Sequence, residues 1–186
     1  VALVAVPSAA AAAVIHFHAE TGIFGKPGFT ENDTSQYINM CASDIATYMA
    51  TLEPTSRPLP PGQTWSALGS AKIKQALTAI RSECPPQGPG AEQQTTGIKE
   101  DFLFASSCAW ESYFLSVTGP NASAQQRNAS QQIVSDLDAL DHGDSGWTQM
   151  RDHIAKGQKD WVDYDYQVNC LGRDTATNPP TIPFPG

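Results

Sequence analysis

Five aspartates and a histidine crowd one stretch of this sequence: Asp136, Asp138, Asp141, His142, Asp144 and Asp152. Carboxylates gathered near a turn are the ligand type that calcium takes. An EF-hand register starting at Asp141 puts Gly146 at the sharp turn and Asp152 last. It also puts Gly143 and Ser145 where the third and fifth ligands belong, so too few oxygens remain and a solvated acidic turn is expected. His16 and His18 form a His-x-His pair with Glu20 as the nearby carboxylate. Such a pair can chelate a metal on an extended strand, where alternate side chains share a face. On a helix the two rings diverge, and two interfacial histidines at the end of an apolar helix are expected. His142 and His153 belong to no His-x-x-x-His or Glu-x-x-His motif. Asp160, Asp163 and Asp165 alternate with Trp161, Tyr164 and Tyr166, giving an acidic face that meets water or a basic partner. No metal and no cofactor is expected.

Gly143-Asp144-Ser145-Gly146 resembles part of the sequence around the nucleophilic serine of chymotrypsin-like proteases. Only four residues match, and Trp147 stands where the next glycine belongs. That family implies two β-barrels with a separately placed His and Asp, and the surroundings here read as helical. A glycine stop followed by an Asp or Ser helix cap is the expected reading. There is no Walker A loop and no dinucleotide glycine pattern. The residues offer no catalytic motif, so a non-enzymatic protein is expected.

The elements that would position any site are helices. Ile38, Cys41, Ile45, Tyr48, Met49 and Leu52 step by threes and fours, with Asn32 or Asp33 as the cap and Pro54 as the stop. Pro58, Pro60, Pro61 and Gly62 make a stiff connection. Trp65, Leu68, Ile73, Ala76, Leu77 and Ile80 mark a second helix that ends near Cys84, before Pro85 and Pro86. A third runs from about Gln93 to Val117. Its apolar arc is broad enough to make it central. The fourth, Ala122 to Leu140, is rich in Gln and Ser, with a narrow edge of Ile133, Leu137 and Leu140. The fifth carries Trp147, Met150, Ile154, Gly157, Trp161, Tyr164 and Val168 on one face. No strand pattern of comparable strength appears. The expected fold is all-α: an antiparallel bundle of four to five helices over residues 31–170, with two disulfides.

Cys41, Cys84, Cys108 and Cys170 are even in number, widely spaced and free of any Cys-x-x-Cys. Two structural disulfides in an oxidising compartment follow. Each closed loop contributes about 3–4 kcal/mol by the chain-entropy argument. Spacing alone leaves the pairing open. Up-down neighbours make Cys41–Cys84 with Cys108–Cys170 the least strained choice. Three N-glycosylation acceptor patterns begin at Asn32, Asn121 and Asn128.

Residues 1–15, VALVAVPSAAAAAVI, carry no charge. They read either as the end of a signal peptide cleaved around Ala11 to Ala13, or as an anchoring or docking helix. Fifteen helical residues rise about 22 Å, short of the roughly 30 Å hydrocarbon core. The segment 1–20 is expected to be a retained anchor or docking helix. A Gly- and Pro-punctuated linker, residues 21–30, joins it to the helical domain. An extended Pro-rich tail, residues 171–186, ends the chain.

The length, 186 residues, suits one domain with a real core. A net charge of −8 with only 11 Lys and Arg excludes a nucleic-acid binder, which needs cations to displace counterions from phosphate. Two function classes lead, ahead of an enzyme whose site would be assembled from residues distant in sequence. One is an extracytoplasmic accessory or assembly subunit, docked to an integral membrane protein complex through its N-terminal helix. Its expected contact residues are Val1, Val4, Ile15 and Phe17, with Trp110 and Phe114 of the third helix. The other is a secreted, disulfide-braced binding protein acting on cell wall, lipid or another protein, with an apolar pocket between the third and fifth helices.

Overall fold

A computed structural model describes residues 37–84, 91–118, 123–140 and 145–172. The apolar N-terminal segment, the linker and the Pro-rich tail beyond Gly172 lie outside the described residues. So do His16, His18, Asp141, His142 and Asp144, and the acceptor patterns at Asn32 and Asn121.

The described chain is mostly helical. Strand β1 (Tyr37–Asn39) is followed by α1 (Ile45–Thr51), α2 (Trp65–Ile80) and a 3-10 turn at Arg81–Glu83. Strand β2 (Glu92–Gln94) leads into α3 (Thr95–Ser116), then α4 (Ser123–Leu140), α5 (Ser145–Ala155) and α6 (Lys159–Asp165). A π-turn, Tyr166–Cys170, closes the described region. Among the described residues no helix is long and apolar enough to cross a membrane.

Two elements differ from the sequence reading, each for a local reason. The first helix does not include Ile38 and Cys41 but starts at Ile45. Ile38 sits instead in an antiparallel pair, opposite Gln93. The Met40 amide donates to the Ala91 carbonyl at 2.8 Å, and Asn39 Oδ1 accepts from the Cys41 amide at 2.8 Å. These bonds hold the backbone in a turn, and a short polar side chain that captures a neighbouring amide competes with helix. Three-residue strands carry too little alternation to stand out in the sequence.

The fifth helix is broken in two at Gly157, where the backbone has φ of 70°. The Gly157 amide donates to the Ile154 carbonyl at 2.9 Å and the Gln158 amide to the His153 carbonyl at 3.1 Å. Those two bonds are a Schellman stop, with glycine at the left-handed position that a side chain disfavours. Across the break, the His153 ring stacks on Trp161, with centroids 4.5 Å apart. The apolar period runs unbroken through Gly157 because α5 and α6 each bury the same stripe.

Length alone points to one domain. The chain divides into two compact units, residues 1–53 with 69–99 and residues 54–68 with 100–186. In the first, β1, α1 and β2 bring Ile38, Met40, Ile45 and Met49 out of solvent, together with Ile73 and Ile98. The Cys41–Cys84 disulfide braces this unit. In the second, α4 packs on α5 and α5 on α6. Trp110, Phe114, Ile133, Leu137, Ile154 and Val162 lie at the centre of its core. The Cys108–Cys170 disulfide ties α3 to the π-turn within it. Both bridges match the least strained pairing, and no described cysteine is free.

Candidate functional site

The second unit gathers the polar chemistry, and much of it is buried. Asp136, assigned from sequence to the acidic turn, is fully buried on α4. Its Oδ1 accepts from Arg57 Nη1 at 2.6 Å and from Gln132 Nε2 at 2.9 Å, and its Oδ2 from Ser106 Oγ at 2.6 Å. Arg57 stands in the irregular segment between α1 and α2, which two indoles hold in place. Trp65 Nε1 donates to the Arg57 carbonyl at 2.8 Å, and Trp110 Nε1 to the Pro58 carbonyl at 3.1 Å. The expected solvated turn therefore loses Asp136 to the interior. Asp138 remains exposed and pairs with Arg151. Asp152 is exposed. Among the described residues no group of three or more His, Cys, Asp or Glu converges on a metal-sized space.

A second polar pair is Glu111 on α3 and Asp165 at the end of α6, 2% and 5% exposed. Burial, then the charge of Asp165, then a hydrogen bond to Asp165 hold the Glu111 carboxyl well above the ordinary glutamate range. Burial also raises Asp165, while hydrogen bonds from Asn169 and Glu111 pull it partly back. Burial thus disfavours the charged form of both carboxyls, most strongly that of Glu111. The Cys170 sulfur, spent in its disulfide and without a proton, lies 3.6 Å from Glu111 Oε2. Paired carboxyls with shifted pKa values can serve acid–base chemistry, but only where substrate reaches them. Here both are packed inside the unit, so the pair acts on the fold.

This pair has a pH consequence. The unfolded chain ionises Glu111 near the ordinary carboxylate value, and the folded chain only at higher pH. Its stabilising contribution is therefore complete below the ordinary value and is lost as pH rises through the folded one. Glu111→Gln keeps a donor to Asp165 and removes the ionisation. The melting temperature of the variant relative to the native protein is expected to be near zero difference at pH 4 and to grow steadily towards pH 8. A difference that stays flat with pH would refute the assignment.

Of the expected acidic face, only Asp160 is exposed. Asp163 accepts from Gln167 Nε2 at 2.9 Å, and Asp165 is inside. Trp110 and Phe114, expected to meet a partner, are 3% and 0% exposed. Their surface is consumed within the unit by α4, α5 and α6, which corrects their assignment to an interface. The other expected contacts, Val1, Val4, Ile15 and Phe17, lie outside the described residues. Ser145 is the first residue of α5 and so is not its cap, and the rest of the expected stop and cap, Gly143 and Asp144, lies outside the described residues. The acceptor residue Asn128 lies exposed within α4.

Among the described residues, clefts open to solvent include one in each unit. In the first unit, α1 and α2 enclose about 770 Å³ above Ile73 and Leu77, with Glu53, Lys74 and Arg81 among its walls. In the second unit, α4 and the C-terminal end of α5 enclose about 600 Å³. That cleft lies between the fourth and fifth predicted helices, not the third and fifth. Ser123, Gln126, Arg127, Ser130, Gln131 and Val134 line it along one face of α4, facing Ala155, Lys156 and Gly157. The Gln- and Ser-rich face that carried no role in the sequence is the wall of this cleft. Among the described residues its cations are Arg127 and Lys156, and no carboxylate lines it. Comparison with known protein families, curated proteins and solved structures finds no match.

Proposed function

We propose that this chain is an extracytoplasmic, non-catalytic binding subunit, whose helical domain presents the α4–α5 cleft to a ligand. The cleft carries the reading: about 600 Å³ falls in the range of small-molecule sites, and its lining mixes donors with aliphatic surface. Two long-range disulfides suit an oxidising compartment. On this reading the helices form an antiparallel bundle, and the apolar residues 1–15 dock it to an integral membrane protein complex on the outer face. The uncharged run supports that part, since such a surface needs lipid or a partner to cover it.

Crosslinking in membranes from native cells, followed by mass spectrometry, tests the docked form. Crosslinks from residues 1–20 to an integral membrane protein are expected. Recovery as a soluble monomer beginning after Ala13 would replace it with the secreted binding protein. Recovery from a reducing compartment with four free thiols would overturn both.

A further inference from the structure

From the α4–α5 cleft we infer that the ligand is a small amphiphilic anion, with a carboxylate or phosphate head on a short aliphatic body. The inference rests on the binding reading and names its ligand class.

The charge distribution gives the head. The chain carries −8 overall and only 11 cationic side chains. Two of these, Arg127 and Lys156, enter one cleft that no carboxylate lines among the described residues. Both are exposed, and among the described residues neither is ion-paired. The start of α4 and the C-terminal end of α5 both border the cleft, so their opposed dipoles offset one another and the side chains set its charge. Arg127 and the Gln126 and Gln131 amides add donors. Ser130 is differently placed, because its hydroxyl already donates to the Gln126 carbonyl at 2.9 Å.

The walls give the body. More of the lining is apolar than polar, supplied by Val134, Ala155 and the methylene stems of the long polar residues. Among the described residues no aromatic ring lines the cleft, so they offer no stacking platform of the kind a sugar or a base would use. An inorganic anion would satisfy the cations and leave the apolar wall in water. An uncharged aliphatic molecule would do the reverse. An amphiphilic anion satisfies both.

The test is calorimetric titration of the full chain with octanoate, octyl phosphate, octan-1-ol and inorganic phosphate. Octanoate or octyl phosphate, or both, should bind; which of them binds tells the carboxylate source from the phosphate one. Octan-1-ol and inorganic phosphate should be at least tenfold weaker. Arg127→Ala and Lys156→Ala should each weaken binding several-fold to tenfold, as loss of a charged hydrogen bond does, and Arg127→Lys should restore part of the loss. Affinity should also fall with added salt. Both positions are exposed, so melting temperatures should stay unchanged. Equal binding of octan-1-ol, or full affinity in the double Ala variant, would overturn the anionic head while leaving a binding protein. Binding of inorganic phosphate as tight as octyl phosphate would overturn the aliphatic body. Absence of binding by all four would overturn the ligand class, whereas the membrane crosslinks bear on the binding subunit separately.

Discussion

Arg57→Ala should destabilise the second unit by about 3–5 kcal/mol, the cost of leaving a buried carboxylate without its cation. Asp136 is fully buried, and among the described residues Arg57 is its ion-pair partner. Ser106 and Gln132 would remain, but neutral donors do not balance a charge in the interior. Arg57 is partly solvated, which places the effect towards the lower end of that range. Asp136→Asn separates the charge from the packing. It relieves the buried anion but sets an amide donor against the Ser106 hydroxyl or the Gln132 amide, so its cost should be smaller. The double variant Arg57→Ala with Asp136→Asn should recover part of the single-variant loss. Because the chain forms two units, the measurement should be local: hydrogen exchange of the α4 amides, with urea unfolding followed by tryptophan fluorescence. Independent, additive effects at the two positions would contradict the pair.

Replacing Cys108 and Cys170 together by Ala should cost about 4 kcal/mol, from the loop entropy released across 62 residues. Cys41 and Cys84, 43 residues apart, close a loop that differs little on this logarithmic scale. The two bridges should nonetheless be distinguishable. Loss of Cys41–Cys84 should raise exchange in β1, α1 and β2. Loss of Cys108–Cys170 should raise it in α3, α6 and the π-turn, where Glu111 and Asp165 also lose their closure. Mild reduction of the native protein should reproduce both patterns together. Exchange unchanged around the π-turn in the Cys108/Cys170 variant would show that packing alone holds α6 in place.

Most of the helical framework could be read from residues. The step of three and four, the prolines at 54, 85 and 86, and the four dispersed cysteines each report locally. Gly157 could not be read this way, because it falls on the apolar stripe. Whether a glycine continues a helix or ends it depends on backbone bonds formed by its neighbours. Ile38 was misplaced because its strand partner lies far along the chain, opposite Gln93. Trp110 and Phe114 looked available because the arc of α3 exceeds one stripe, and only the packing of α4 to α6 shows where that surplus goes. The candidate site was the least legible. Glu111 offered one signal, a lone acid inside a helix that is apolar almost all round. Asp136 and Asp165 sat among other aspartates that do meet water, and nothing in their order marks which turn inward. The cleft was hidden for a different reason: its wall is an ordinary polar helix face until α5 stops at Gly157 beside it.

A non-reducing peptide map of the protein isolated from its native cells tests the account most directly. Cys41 joined to Cys84 and Cys108 joined to Cys170, with no free thiol, is the expected result and places this helical domain in an oxidising compartment. Free thiols at all four positions, or a bridge between Cys84 and Cys170, would contradict it.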